Sequence, residues 1–296
     1  LGKRNSMMRK EAMVGYLFAS PWFIGLVLFT LFPIAASIRY SFMDYNILQP
    51  PVWVGLDNYK ALFQDELFWI SLYNTFYYVF LSVPLTMIIG LAIAMLLNAD
   101  IKGIALYRTL YYMPSIVPLV AASILWAWMF DPNFGILTNI VQFFGLPAPG
   151  WLSDPAWAKN SLILMSLWGA GGGMIIYLAG LKNIPKVYYE AAEIDGAGVI
   201  HRFFKITLPL LSPTLFFQLI IGIIGSFQVF TQSFMITGGG PNDSTLFYVL
   251  YLYNNAFRFW KMGYASALAW VLFVIIMVFT WINFKLSKKW VHYDQM

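Results

Sequence analysis

The chain has 296 residues, 60% hydrophobic and 10% charged, with a formal net charge of +5 and no cysteine. Soluble domains carry about 25% charged residues, so this composition excludes a soluble globular protein; the missing cysteines exclude disulfides and thiolate metal sites. Lipid has to cover much of the surface.

A membrane helix needs about 20 apolar residues. Six uncharged windows are long enough: 12–38, 67–99, 109–130, 160–181, 206–242 and 262–284. The first follows Lys3, Arg4, Arg9 and Lys10. It is too long for a signal core and lacks a small-residue cleavage site, so it reads as a retained helix over 14–38 containing Pro21 and Pro33. An outer loop at 39–66 is rich in turn formers. Helix two is expected within 70–97 and helix three within 107–130. The stretch 132–153 is uncharged too, but its prolines and glycines leave only 134–144 free to form a helix, too short to span. Helix four is expected at 160–181 and helix five at 208–234. A glycine-rich outer turn at Gly238–Gly240 follows, and helix six at 264–284 ends against Lys285, Lys288 and Lys289.

Lysine and arginine placement orients these six helices. With the N-terminus inside, residues 1–11, 100–108, 182–205 and the tail from Lys285 hold thirteen of the eighteen basic residues. The acidic residues split six inside and seven outside. The bias lies in the cations, as the positive-inside rule requires, and places both termini in the cytoplasm. The net positive charge reflects this topology and is no sign of nucleic-acid binding. The expected division is a cytoplasmic segment at 1–13, a membrane domain at 14–286 and a cytoplasmic tail at 287–296.

The six windows contain no Asp, Glu, Lys, Arg or His. Ion-coupled transporters usually keep such a group in the membrane, which weighs against the alternative of a secondary transporter or channel acting alone. No G-x-x-x-x-G-K-[S/T] loop occurs. His201 and His292 lie in cytoplasmic segments and form no catalytic or metal cluster. The chain is not expected to be an enzyme.

The cytoplasmic loop 182–209 is the informative segment. Its residues read as two short helices at an angle. Pro185 suits a first helical turn, and Gly196 and Gly198 can adopt the left-handed conformation that ends a helix. Ala191 and Ala192 allow another surface to approach closely. The segment 199–206 mixes Val199, Ile200, Phe203 and Phe204 with His201, Arg202 and Lys205, as a helix lying along the membrane face would. Thr207 can cap helix five, with Pro209 in its first turn.

Glu190, Ala191, Ala192, Gly196, Ile206, Leu208 and Pro209 match Glu-Ala-Ala-x3-Gly-x9-Ile-x-Leu-Pro, the pattern of permease subunits of binding-protein-dependent ABC importers. Ser20-Pro21-Trp22, Val54-Gly55-Leu56-Asp57-Asn58-Tyr59, Thr237-Gly238-Gly239-Gly240-Pro241 and Trp290-Val291-His292-Tyr293 extend the resemblance to the glycerol-phosphate/maltose-type carbohydrate permeases. The resemblance implies an all-α, type I importer permease in a bacterial inner membrane. It implies a second homologous permease, two cytoplasmic ATPase subunits that hold the ATP and Mg, and an extracytoplasmic solute-binding protein. No cofactor is expected on this chain. The ATPase-coupling surface would comprise Glu190, Ala191, Ala192, Asp195, Gly196, Ala197 and Gly198, with Glu190 accepting a salt bridge from the ATPase.

A neutral polar solute needs hydrogen-bonding and aromatic surface, which helices four and five supply at Trp168, Gly169, Gly172, Tyr177, Gly222, Gly225, Ser226, Gln228 and Val229, with Gly171, Gly173, Gln218, Thr231 and Gln232 nearby. Glycine at this spacing also serves close helix packing. In maltose-type permeases the sugar contacts come from helices four and five. The positions corresponding by count, Gly169, Gly172, Gly222, Gly225, Ser226 and Val229, are mostly small here. The expectation is a roomy cavity suited to an oligosaccharide or larger sugar.

Overall fold

The computed structural model describes residues 2–99 and 102–292, with side chains from residue 11 onward. Tyr293, the last residue of the terminal motif, and residues 294–296 of the tail expected at 287–296 lie outside the described residues. α1 (Gly2–Leu26) continues through a π-helical turn at Val27–Leu31 into α2 (Phe32–Ser41), so helix one runs past its expected end at 38. The π turn has a local cause. Pro33 brings no N–H, and its ring presses on the carbonyl four residues back, at Phe29; widening one turn relieves both problems. The outer loop holds an unexpected two-stranded ribbon, β1 (Met43–Asp44) paired antiparallel with β2 (Val52–Trp53), and then α3 (Asp57–Gln64).

α4 (Glu66–Leu96) starts at Asp65, whose carboxylate accepts the Leu67 N–H at 2.9 Å. α5 (Ile104–Ile116) and α6 (Leu119–Met129) replace the single helix expected over 107–130 and meet at 96°. Pro118 drives the residue before it out of the helical region, and Val117 has ψ 128°. The short α7 (Ile136–Phe143) falls inside the loop helix expected at 134–144. α8 (Pro155–Trp168) begins before the expected 160, because Asp154 caps it by accepting the Ala156 N–H and Pro155 fits the first turn. It bends by 47° into α9 (Gly171–Lys182).

α10 (Lys186–Ile194) is followed by α11 (Val199–Arg202), a π turn at Phe203–Thr207, α12 (Leu208–Leu210), α13 (Ser212–Phe227) and α14 (Thr231–Ile236). α15 (Tyr248–Tyr253) leads through a π turn at Asn254–Arg258 to α16 (Met262–Ser287). Among the described residues four helices are long and apolar enough to cross a bilayer: Glu11–Ser41, Glu66–Leu96, Ser212–Ile236 and Met262–Ser287. The α5–α6 and α8–α9 pairs raise the number to six if each is one crossing.

The chain forms two compact units, one of residues up to Gln64 with Tyr253–Val271, the other of Asp65–Leu252 with residues from Leu272. In the first, Asn58 Nδ2 donates to the Ser41 and Met43 carbonyls at 2.9 Å, and Gly263 packs on the Met43 backbone with no room for a Cβ. In the second, α4 packs against α8, α9 and α13. One core there gathers Leu91, Ala94, Met174, Tyr177, Leu181 and Leu211; another joins Tyr78, Leu162, Val229 and Phe247. Asn74 is buried and its Nδ2 donates to the Asp243 and Leu246 carbonyls at 2.7 and 3.1 Å. Thr75 Oγ1 accepts the Tyr248 N–H at 2.9 Å. Without water in hydrocarbon, such groups have to find partners inside the protein.

Candidate coupling loop and solute path

The loop between α9 and α13 is built on α10. Pro185 is its N-cap (φ −62°, ψ 132°) rather than its first helical residue. The helix ends in a complete Schellman motif: Gly196 N donates to Glu193 O at 3.0 Å and Ala197 N to Ala192 O at 2.8 Å. Gly196 sits at φ +76°, where an L side chain is strained, and open space surrounds the position a Cβ would take. The requirement for glycine is conformational within this chain. Gly198, expected to be left-handed, is instead extended (φ −68°, ψ 166°) and is the N-cap of α11.

The second piece of the loop differs from the expectation of a separate surface helix capped off by Thr207. Residues 199–210 stay helical through Thr207, which has φ −62° and ψ −53° and makes no cap bond. A π turn at Phe203–Thr207 lets the helix run into Pro209, whose ring would otherwise meet the carbonyl of Lys205. The second piece of the loop and helix five are therefore one helical path from Val199 to Phe227, relaxed only at Leu211.

Two side-chain ties hold α10 to this path. The Tyr189 and Thr207 hydroxyls are hydrogen-bonded at 2.9 Å, with Thr207 buried and Tyr189 half-buried. Arg202 Nη1 lies 3.4 Å from Glu193 Oε2; the guanidinium is half-buried but the carboxylate is exposed, so solvent screening keeps the pair at about 0–1 kcal/mol. Tyr189, Phe203 and Leu208 pack on the core formed by Leu91, Leu181, Ile184 and Leu211. The opposite side presents Glu190, Ala191, Ile194 and Asp195 to solvent, followed by the exposed Val199, Ile200 and Phe204. Ile194 is 88% exposed, an unusual position for a large aliphatic side chain and one that suits a protein contact. Glu190 makes no ion pair among the described residues. The sequence points to Glu190 and gives Thr207 only a capping role; Tyr189 and its bond to Thr207 have no signal in it, because they join residues on either side of the Gly196 turn.

The glycines of helices four and five separate by what surrounds them. At Gly171 the backbone of Tyr111 leaves no room for a Cβ; at Gly172 a Cβ would lie 3.1 Å from Ser115 Cβ and at Gly173 2.5 Å from Gln218 Nε2. Those three serve packing. A Cβ at Gly222 would meet Val83 at 3.2 Å, one at Gly169 would meet only Ser166 O at 3.6 Å, and one at Gly225 meets nothing within 4 Å. Trp168 and Gln228 are exposed, and Trp168 sits edge-on to Trp126 with ring centres 6.2 Å apart. Val229 is buried against Tyr78 and Phe247, so its side chain belongs to the core rather than to an open surface.

Tyr177, Gly222 and Ser226 come together with Gly173 and Gln218 around a cavity of about 190 Å³ between α4, α9 and α13. That is the liquid volume of about six waters at roughly 30 Å³ each. The buried Tyr177 hydroxyl has no hydrogen-bond partner among the described residues, and the Gln218 amide and the Thr86 and Ser226 hydroxyls line the same space. These are neutral donors and acceptors suited to water or solute hydroxyls. Thr86 was not foreseen, because it lies on helix two. Among the described residues no group of His, Cys, Asp and Glu is placed to hold a metal ion.

Residues 68–292 match the family described as binding-protein-dependent transport system inner membrane component. A probable ABC transporter permease protein, YesP, of Bacillus subtilis is 47% identical, covering 99% of this chain and 96% of the relative. The sulfoquinovosyl glycerol transport system permease protein SmoG of Agrobacterium fabrum is 34% identical over 94% of this chain and 91% of its own. The lactose transport system permease protein LacF of Rhizobium radiobacter is 34% identical over 97% and 98%. A chain of a bacterial ABC transporter involved in the import of the acidic polysaccharide alginate shares the fold, with a TM-score of 0.84 over 97% of this chain and 99% of that one at 24% identity. This chain belongs to the binding-protein-dependent inner membrane components, the permease subunits of ABC importers, and has their mostly helical type I fold.

Proposed function

We propose that this chain forms one half of the path by which a saccharide, an oligosaccharide or larger sugar, crosses a bacterial inner membrane, with residues 14–286 as the membrane domain and both termini cytoplasmic. The relatives named for lactose, sulfoquinovosyl glycerol and arabinooligosaccharides support a saccharide. A second permease completes the path, and an extracytoplasmic binding protein delivers the solute. Two cytoplasmic ATPase subunits hold and hydrolyse ATP with Mg.

The observation that carries this reading is the loop itself, an exposed nine-residue helix tied to a helical path that reaches the cavity. Glu190, Ala191, Ala192 and Asp195 form the docking face, and Gly196, Ala197 and Gly198 form the turn that holds its angle. Closure of the ATPases would push α10, and the Tyr189–Thr207 bond would pass the displacement to α12 and α13. The proposed solute surface consists of Trp168, Gly169, Gly225 and Gln228, with Tyr177, Gly222 and Ser226 at the inner cavity. In the assembled transporter, Glu190→Lys is expected to leave the complex intact while lowering uptake at least tenfold. Uptake at the native rate in that variant would refute the docking assignment.

A further inference from the structure

α5 and α9 touch where Gly171 and Gly172 meet Tyr111 and Ser115. From that crossing a groove of about 530 Å³ runs toward Arg108 and Lys182. Its walls are apolar, with Met113, Ile116, Ile175 and Leu178 among them, and the first three of these are about half exposed or more. The charge sits at one end. Arg108 lies one turn into α5 and Lys182 closes α9. Arg108 is held in place by a 3.0 Å bond from Nη2 to the Leu97 carbonyl, and its Nε is buried with no partner among the described residues. Neither cation is ion-paired with a carboxylate among the described residues.

We propose that this groove binds an anionic phospholipid, with the phosphate at Arg108 and Lys182 and an acyl chain along the apolar wall. Three observations carry the assignment. Eight residues separate Arg108 from Ile116, about 12 Å at 1.5 Å per residue, close to the roughly 15 Å of one leaflet in a ~30 Å hydrocarbon core. The cationic end is the one that lysine and arginine placement puts on the cytoplasmic side, at the depth of the inner headgroups. An apolar helix laid in the groove would strip water from both cations without neutralising them, whereas a phosphate supplies the charge and accepts hydrogen bonds from the guanidinium.

The test uses the complete transporter, purified and delipidated in detergent. Phosphatidylglycerol and phosphatidylcholine with the same acyl chains are titrated separately, and retained lipid is counted by native mass spectrometry alongside the thermal midpoint. Phosphatidylglycerol is expected to be retained at least tenfold more strongly and to raise the midpoint. Arg108→Gln with Lys182→Gln should abolish that preference. Met113→Trp, which keeps both cations but fills the groove, should also weaken retention, and Lys182→Gln alone serves if the double variant fails to assemble. Equal retention of the two lipids would overturn the proposal. So would an equal midpoint shift from inorganic phosphate, or efficient cross-linking of Met113→Cys to the second permease, which would show protein in the groove.

Discussion

The bond between Tyr189 and Thr207 ties α10, the proposed docking helix, to the helical path that lines the inner cavity, and it can be removed almost without changing shape. Tyr189→Phe deletes one oxygen and leaves the ring packed. A hydrogen bond contributes about 1 kcal/mol net, and an orphaned buried hydroxyl costs roughly 1–3 kcal/mol. Thr207 is 7% exposed, but its hydroxyl can turn to a carbonyl one turn back in its own helix, which keeps that cost at the lower end. The expected loss is therefore about 1–2 kcal/mol. Thr207→Val removes the other partner, and because the half-buried Tyr189 hydroxyl can reach water the loss should be nearer 1 kcal/mol. In the double variant the bond is lost only once, so the cost should fall short of the sum by about 1 kcal/mol. A bias of that size is about fivefold in an equilibrium between coupled and uncoupled positions of α10. The assay is the reconstituted transporter with its binding protein, measuring ATP hydrolysis and uptake together. Solute moved per ATP should drop about fivefold in each single variant and no further in the double. Strict additivity, or an unchanged ratio in Tyr189→Phe, would refute the role of this bond in transmission.

Three further substitutions test the glycines. Gly196→Ala should cost about 1–2 kcal/mol because of its left-handed backbone, lowering ATPase stimulation by the loaded binding protein, while Gly196→Asn should recover most of the loss; equal behaviour of the two would show that φ is not the reason for glycine. Gly173→Ala brings a Cβ to 2.5 Å from Gln218 Nε2, the free end of a flexible side chain beside the cavity, so the amide should swing aside and the thermal midpoint should fall by no more than a few degrees. A large fall that Gln218→Ala does not relieve would mean that the clash lies with less mobile atoms. Gly225→Trp extends into open space, so it should leave the midpoint within a few degrees and block uptake, and undiminished uptake would remove Gly225 from the path. Gly172→Trp is a poorer probe, because Ser115 already fills that side.

Much of the fold is legible in local sequence because lipid imposes simple demands. Long uncharged windows mark the apolar helices, and the turn at Gly196 marks one helix end, whereas the start of α8 at Asp154 and Pro155 lies before the uncharged window and is set by the cap. The bends were less visible. Pro118 lies inside an apolar window that hydropathy alone reads as one helix, yet it produces a 96° corner. Pro33 and Pro209, by contrast, are absorbed by π turns without breaking the helix. Whether a proline bends or merely widens a helix depends on how neighbouring segments pack, which its own neighbours in sequence do not state.

The Glu-Ala-Ala loop, the absence of charge in the membrane windows and the family membership were all determined by the sequence by itself, because each rests on residue type and spacing. Only the tertiary structure decided which glycines are packing surfaces and which face open space. Gly171 and Gly225 are indistinguishable in sequence, and the difference is the Tyr111 backbone pressed against one of them. The same holds for Tyr177, Gln218 and Thr86, which come from three different helices to line one cavity. Spacing along one helix constrains one face, whereas a cavity is defined by which faces of separate helices meet.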